Sequence, residues 1–427
     1  MRWKLPLLML TACMPMVSRQ PETDLDRARR ILSTTPLIDG HNDLPWAIRE
    51  SRTAPRDVNA YDLRQRTAGH TDLERLRQGM VGGQFWSIYI PGEIADSGFA
   101  RVQLEQIDIA RRIVERYPER LAWALTARDL RRAHKEGKIG SVLGLEGGHA
   151  IENSLGTLRM YYDLGARYMT LTHNVTTDWA DAAQDSAKHG GLTEFGKEVV
   201  REMNRMGMLV DLSHVAPATM SDALDVTAAP IIFSHSGAQG VVNHKRNVPD
   251  AILRRMPGNG GVVMIPFVTA FVSREVAAYA HEDGLFQAEL RKQLGRDTLA
   301  IRREITARRV LKPPPAAVIS NVVEQIEYVR RVSGVDHVGI GGDFDGITDV
   351  VVGLEDVSKY PALFAELAHR GWSDEDLRKL AGENILRAME RAEQVSANLR
   401  SIRGPSTRTI AELDGPPRPA RKRRAAR

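Results

Sequence analysis

Apolar residues in this chain gather into short runs, and most of the runs stop at a residue able to bind a metal or move a proton. Pro36-Leu37-Ile38 leads to Asp39-Gly40-His41-Asn42-Asp43, Ser141 to Leu145 leads to Glu146, and Arg167 to Thr172 leads to His173. Met208 to Ser213 ends on His214, Pro230 to Ser234 on His235, and Val338 to Gly342 on Asp343. Two further runs, Gln84 to Ile90 and Gly261 to Phe267, bring the candidate strands to eight. Helical periodicity separates most of them, over Arg101–Arg116, Leu155–Leu164, Thr193–Met206, Pro217–Leu224 and Ala316–Val332. Alternating strand and helix predicts parallel strands joined by right-handed crossovers. Eight such units predict an α/β fold, a closed (β/α)8 TIM-like barrel. In that barrel all strand C-termini open on one face, so chemically active residues far apart in sequence converge there.

One segment is out of proportion. From Val272 to Pro315, after the seventh candidate strand, the chain is charged and helix-prone until Pro313-Pro314-Pro315 ends it. A helical insertion is expected there on the active-site face, as a lid, an oligomer contact or a plain surface excursion. Later, Ser373-Asp374-Glu375-Asp376 predicts a helix start with Ser373 as its cap.

At 427 residues, 42% hydrophobic and 26% charged, the chain can bury one large core, and the barrel is expected over 24–399. The net charge of +5 misleads, because residues 418–427 hold six basic side chains and no acidic one, and subtracting them leaves −1. The body thus has no bulk attraction for nucleic acid, and no nucleic-acid partner is expected. Residues 400–427 read as a basic, disordered, solvated tail, with weak attraction to anionic lipid as the alternative.

At the other end, Arg2 and Lys4 precede the apolar run Leu5 to Leu10 and then Thr11-Ala12-Cys13. The run is too short to span a bilayer and has the layout of a secretory h-region. Leu10-Thr11-Ala12-Cys13 resembles the lipobox of bacterial lipoproteins, whose cysteine is acylated and becomes the new N-terminus. Residues 1–23 are therefore expected to be leader and linker. The protein would be secreted across a bacterial inner membrane and held to the membrane through Cys13, with an ordinary signal peptide as the alternative. Cys13 is the only cysteine, so no intrachain disulfide can form.

The strand-end residues support metal chemistry. His41 and Asp43, two apart, can point to one side of an extended segment and grip one ion. His214 and His235 supply two imidazoles for a second, and Glu146 has two oxygens, enough to bridge both. Singly, a strand-end histidine is more often a hydrogen-bonded core residue, and Glu146 could pair with an arginine. Three histidines, one aspartate and one glutamate on one face favour a metal centre. Imidazole and carboxylate without thiolate suit Zn²⁺ best. Two ions about 3.5–4 Å apart would hold and acidify a water between them.

Several runs resemble the membrane (renal-type) dipeptidase family, peptidase family M19, a dizinc branch of the amidohydrolase superfamily. They are Ile38-Asp39-Gly40-His41-Asn42-Asp43-Leu44-Pro45-Trp46, Glu146-Gly147-Gly148-His149, Leu171-Thr172-His173, Ile232-Phe233-Ser234-His235-Ser236, Arg246-Asn247-Val248-Pro249-Asp250, Gly341-Gly342-Asp343-Phe344-Asp345-Gly346 and Leu354 to Pro361. The resemblance runs in order from about residue 24 to about 395; the long segment after Val272 and the lack of disulfide cysteines depart from the animal members. It implies a zinc dipeptidase in which His41 and Asp43 hold one Zn²⁺, His214 and His235 the other, and Glu146 bridges. A metal-bridging hydroxide would attack a dipeptide carbonyl, with His173 facing the developing oxyanion. Arg246 would grip the substrate carboxylate, and Asp343 would contact the amine and carry a proton to the leaving nitrogen. The resemblance also admits a homodimer. The alternatives are another amidohydrolase acting on N-acyl amino acids or lactams, and a catalytically silent binding protein on the same barrel. Among the neighbours, Asp345 is expected to orient its turn, and Asp39 and His149 to support ligands from behind. Lys245 is expected in solvent, and His70, His134, His189, His281, His337 and His369 in surface or core roles.

Overall fold

In the computed structural model, which describes residues 22–415, the chain forms nine strands. These are β1 (Leu37–Asn42), β2 (Val81–Ser87), β3 (Leu121–Trp123), β4 (Ile139–Glu146), β5 (Ala166–Thr170), β6 (Leu209–Asp211), β7 (Ile232–Phe233), β8 (Val262–Ile265) and β9 (Val338–Ile340). All pairings are parallel, and the ring β1-β2-β4-β5-β6-β7-β8-β9 closes where Asp39 meets Ile340. This is the expected eight-stranded barrel. The unexpected β3 lies outside the ring, pairing Leu121 to Trp123 with Ile139 to Ser141 before β5 takes over that edge at Leu143. Three residues are too few to show a period, so β3 left no signal in the sequence.

The strands are buried along almost their whole length, which explains why they read as continuous apolar runs rather than alternating ones. Ile38, Phe85, Val142, Tyr168, Leu209, Ile232, Val262 and Met264 pack together inside the ring, and the helix Asn384–Ile402 adds Ile385, Leu386 and Met389 to that layer. The predicted helices appear at Phe99–Arg116, Leu155–Asp163, Glu194–Met206, Pro217–Val226 and Ile319–Ser333. Ser373 caps the helix Asp374–Arg378 by accepting from Asp376 N.

The segment after β8 is a helical hairpin, Arg274–Leu294 and Thr298–Leu311, turning at Gly295. Lys312 pairs with Glu282, and Tyr279 Oη donates to Lys312 O at 3.1 Å. No side chain of the second helix is buried. The C-terminal end differs from expectation, because residues 400–415 are built onto the barrel. Arg403 pairs with Glu198, and Ser406 N donates to Glu202 Oε2. Asp414 accepts from Thr193 Oγ1 at 2.7 Å. The cause is electrostatic: Glu202 is buried and Glu198 nearly so, and such carboxylates need partners, which Arg159, Arg205, Arg403 and the Ser406 amide supply. The basic residues 418–427 and the leader with Cys13 lie outside the described residues. Among those described, no helix is long and apolar enough to cross a membrane.

Candidate metal and active site

Barrel closure brings the strand-end residues together. Three overlapping groups each place their ligand atoms within 4.8 Å of one another: His41, Glu146 and His235; Glu146, His173 and His214; His41, Asp43 and Asp343. Glu146 is the hub, with His214 Nε2 at 3.0 Å and His235 Nε2 at 3.5 Å from Oε1, and His41 Nε2 at 3.4 Å from Oε2. Asp43 Oδ2 is 3.3 Å from His41 Nε2. His173 stands at the edge, its Nε2 3.9 Å from Glu146 and its ring between Tyr89 and His214.

What lies behind these side chains decides which nitrogen each histidine presents. His214 Nδ1 is 3.1 Å from Asn174 Oδ1, an acceptor, so Nδ1 carries the proton and Nε2 is bare. His235 Nδ1 is 2.8 Å from Ser234 Oγ, whose own proton goes to Asp211 Oδ2 at 2.6 Å, so its Nε2 is bare as well. The two bare nitrogens face each other at 2.9 Å. Lone pair against lone pair is repulsive unless a cation lies against both. His41 Nε2, buried and without a hydrogen-bond partner, lies between the Asp43 and Glu146 carboxylates, where a cation would satisfy all three. Charge agrees: Asp43, Glu146, Asp343 and Asp345 line a cavity that holds one guanidinium, Arg246. The residues fit a metal centre.

Ionisation follows from the same packing. Burial pushes His214 and His235 well below the ordinary imidazole range, with Arg246 adding to the effect. Burial would do the same to His41, but Tyr168, Glu146 and Asp43 outweigh it and push it up. Glu146 is held well below the carboxylate range, because His41, His214 and His173 overcome its burial. Asp343 goes the other way, raised by burial and by Asp43 and Glu146 against the pull of His41 and Arg246.

The cavity, about 400 Å³, is walled by Trp46, Tyr89, Val268, Phe271 and Ile347, with Arg246 and Asp343 in its lining. Arg246 is buried, donating to Ser236 Oγ at 3.3 Å and His235 O at 3.4 Å, with Phe271 against its guanidinium. The hairpin after β8 contributes none of these lining residues, so the lid reading finds no support. Three non-glycine residues here, His214, Asp343 and Asp345, have left-handed φ values of 67°, 63° and 65°. Each costs about 1–3 kcal/mol and persists only where surroundings over-determine it. Gly346 allows a close approach, since a Cβ there would meet Asp43 Oδ2 and Asp343 Oδ1 and push those carboxylates aside.

Among the expected supporting residues, Asp39 sits behind His41, accepting from His41 N, Gly342 N and Tyr360 Oη, and so ties β1 to the end of β9. His149 bonds Ile90 O instead and makes no hydrogen bond to a member of the cluster. Asp345 orients its turn through His70, accepting from His70 N and donating its own N–H to His70 Nδ1. Sequence reasoning missed that partner. It also missed Tyr168, 2.9 Å from His41 Nδ1, together with Asn174, Ser234 and Asp211. Asp211 alone left a signal: a carboxylate inside Leu209-Val210-Asp211-Leu212 must be paired once buried.

The membrane dipeptidase family, peptidase family M19, matches residues 25–403. Among solved structures, PvdM from Pseudomonas aeruginosa shares the fold with a TM-score of 0.76 at 24% identity, over 88% of this chain and 100% of that one. The metallopeptidase dipeptidase AC overlays with a TM-score of 0.69 at 26% identity, over 84% of this chain and 99% of its own. A metallopeptidase from Rhodobacter sphaeroides, solved with a phosphinate mimic of the dipeptide L-Ala-D-Ala, gives 0.68 at 25% identity, over 84% and 99%. Because the family match takes in every strand end that feeds the metal cluster, the chain belongs to the membrane dipeptidase family, M19, and is a hydrolase of the metallodipeptidase type.

Proposed function

We propose that this enzyme hydrolyses the peptide bond of dipeptides with two zinc ions. His41 and Asp43 hold one, His214 and His235 the other, and Glu146 bridges. The observation that carries the reading is the 2.9 Å approach of His214 Nε2 to His235 Nε2 beside Glu146, with Asn174 and Ser234 behind the two rings. Two zinc ions, when bound, acidify a water between them and polarise the scissile carbonyl.

The rest is the work of the chain. Arg246, in an apolar wall with Phe271, receives the substrate carboxylate through its planar fork. Asp343 contacts the substrate amine as a carboxylate and shuttles the proton released by the attacking water to the leaving nitrogen. His173, kept neutral by burial, donates to the oxygen on which charge develops. Two charged substrate ends are thus read a fixed distance apart, so a longer peptide misplaces one of them.

The test is metal analysis of purified protein together with hydrolysis of L,L and L,D dipeptides and N-acyl amino acids. Two equivalents of zinc are expected, with activity lost on chelation and restored by Zn²⁺. Full turnover by metal-free protein would end the metal account. Full activity at one equivalent would make Glu146 a single-site ligand, and preference for N-acyl amino acids would replace the dipeptidase with another amidohydrolase.

We also propose that the mature chain begins at a lipid-modified Cys13, motivated by Leu10-Thr11-Ala12-Cys13. Mass spectrometry of the bacterial membrane fraction tests this, and an unprocessed Met1 on soluble protein would refute it. Leu285, Leu299, Val310 and Leu311 are each exposed on the hairpin, apolar side chains that a homodimer contact there would cover. Sedimentation of a chain lacking Cys13 reads the oligomeric state, and a monomer at micromolar concentration would refute the dimer.

A further inference from the structure

Asp211 is the last residue of β6, completely buried, and takes no part in lining the cavity. Its Oδ1 accepts from Ser213 N at 3.0 Å and Ser234 N at 2.8 Å. Its Oδ2 accepts from Thr170 Oγ1 and Ser234 Oγ, both at 2.6 Å. Those four neutral donors occupy all of the roughly four lone-pair directions of a carboxylate. The two hydroxyl contacts fall in the range of about 2.5–2.7 Å typical of O–H donating to an ionised oxygen.

We infer that Asp211, acting through Ser234, locks His235 in the tautomer that leaves its Nε2 free for a metal ion, and is a positioning residue of the centre. The inference rests on the metal reading above. Ser234 Oγ has a single proton and three polar neighbours: Asp211 Oδ2 at 2.6 Å, His235 Nδ1 at 2.8 Å and Ser213 Oγ at 3.5 Å. The carboxylate is the one neighbour that can only accept, and Ser213 is too distant to compete. The proton therefore goes to Asp211, and His235 Nδ1 must be the donor to the serine oxygen. One buried negative charge, two bonds away, thus decides which imidazole nitrogen reaches the cluster.

Asp211 also ties strands together, and that lesser role must be separated from the lock. β7 is only two residues long and pairs with β6 only where Asp211 meets Ile232, so the Asp211 side chain takes over where the ladder ends. Asp211→Asn separates the two roles. Its Oδ1 can still accept from the Ser213 and Ser234 amides, so the tie is kept at almost unchanged volume. Its Nδ2, however, would donate to Ser234 Oγ. The serine proton would then turn to His235 Nδ1, and the imidazole proton would move to Nε2, where a metal is to bind. Ser234→Ala removes the relay, and Ser234→Thr restores the hydroxyl.

Two readouts on the full chain test this. In metal-free, ¹⁵N-labelled protein, two-bond ¹H–¹⁵N correlations report the tautomer of His235, assigned by difference with His235→Gln. Wild type should show Nδ1–H and Asp211→Asn should show Nε2–H. In competition with a chromophoric zinc chelator, Asp211→Asn should bind one zinc about 10–100-fold more weakly, the usual consequence of losing a ligand's supporting partner. The other zinc should be held about as before. Ser234→Ala should show a smaller selective loss, and Ser234→Thr should recover it. Nδ1–H in Asp211→Asn, or unchanged affinity for both ions, would overturn the lock. So would an equal loss at both ions with a matching fall in melting temperature, which is the mark of a strand tie alone. If Asp211→Asn does not fold, the Ser234 pair decides. If wild type takes up no zinc, the metal reading fails, while the tautomer measurement still decides for or against the lock.

Discussion

Replacing Arg246 with lysine keeps a cation in the cavity and removes the planar fork, and the consequence can be sized from its surroundings. Arg246 is 2% exposed, and burial lowers its pKa to about 10, so it stays charged at neutral pH. Its bonds to Ser236 Oγ and His235 O, at 3.3 and 3.4 Å, are long, and it has donors to spare for a carboxylate. A lysine would offer a point charge and typically one bond in place of two. A hydrogen bond to a charged group contributes about 1.5–3 kcal/mol, which at about 1.4 kcal/mol per tenfold is roughly 10- to 150-fold in kcat/KM. Because the carboxylate is gripped alike in the ground and transition states, most of the loss should fall on KM. The assay is steady-state hydrolysis of one dipeptide as the free acid and as the C-terminal amide. The parent enzyme should turn over the amide poorly, and the substitution should barely change that. Tripeptides should be cleaved slowly or not at all. Equal turnover of acid and amide by the parent, or an equal penalty on both from the substitution, would refute carboxylate recognition by Arg246.

Three other outcomes follow from the site and its supports. Asp343→Asn should keep both metals and lose about 10²–10⁴-fold in kcat; because Asp343 lies within ligand distance of His41 and Asp43, a drop in bound metal would instead make it a ligand. Burial lowers His149 and His244 to about 4, below the value near 6.5 expected when unfolded, so between those limits the unfolded chain binds more protons. Their contribution to stability is therefore complete above about pH 6.5 and declines as the pH falls towards 4. Denaturant melts of metal-free protein at pH 7 and 5 should show that decline lessened in a His149→Gln, His244→Gln double variant, and an identical decline would refute the assignment. Asp414→Ala should cost about 1 kcal/mol, the usual loss for a helix N-terminal partner, read as a lower melting temperature; no change would mean that residues 400–415 dock without it.

The barrel was legible because its strands are buried on both faces and its helices on one, two patterns that period and run length distinguish. The convergence of these side chains was legible because each lies at or just past the end of a strand, where parallel topology brings them together. What escaped was of a different kind. β3 is too short to carry a period, and the docking of residues 400–415 depends on Glu198 and Glu202, exposed or buried according to a helix face that only packing decides. Asn174, Tyr168 and Ser234 act through single hydrogen bonds to atoms contributed by other strands. Nothing in local composition marks a serine as the acceptor for a histidine. His70, read as a default core or surface residue, likewise gains its role only when the turn at Asp345 meets it.

Two buried carboxylates outside the candidate ligand set are matched devices. Asp39 gathers the His41 amide, the Gly342 amide and the Tyr360 hydroxyl, joining the ends of β1 and β9. Asp211 gathers donors from residues at the ends of β5, β6 and β7. Asp39 lies two residues before His41 within β1, and Asp211, the last residue of β6, lies three before His214; each fixes backbone where the ladder stops. The left-handed backbone at His214, Asp343 and Asp345 lies just beyond these ties, where strain can be held because neither flank can relax. The geometry of the centre is therefore set mainly by the strand ends and their ties, with Asn174 behind His214 as the contribution of the loop after β5. Substitutions in the exposed hairpin should leave metal affinity unchanged, whereas a change of one atom at Asp211 should weaken the hold on one ion.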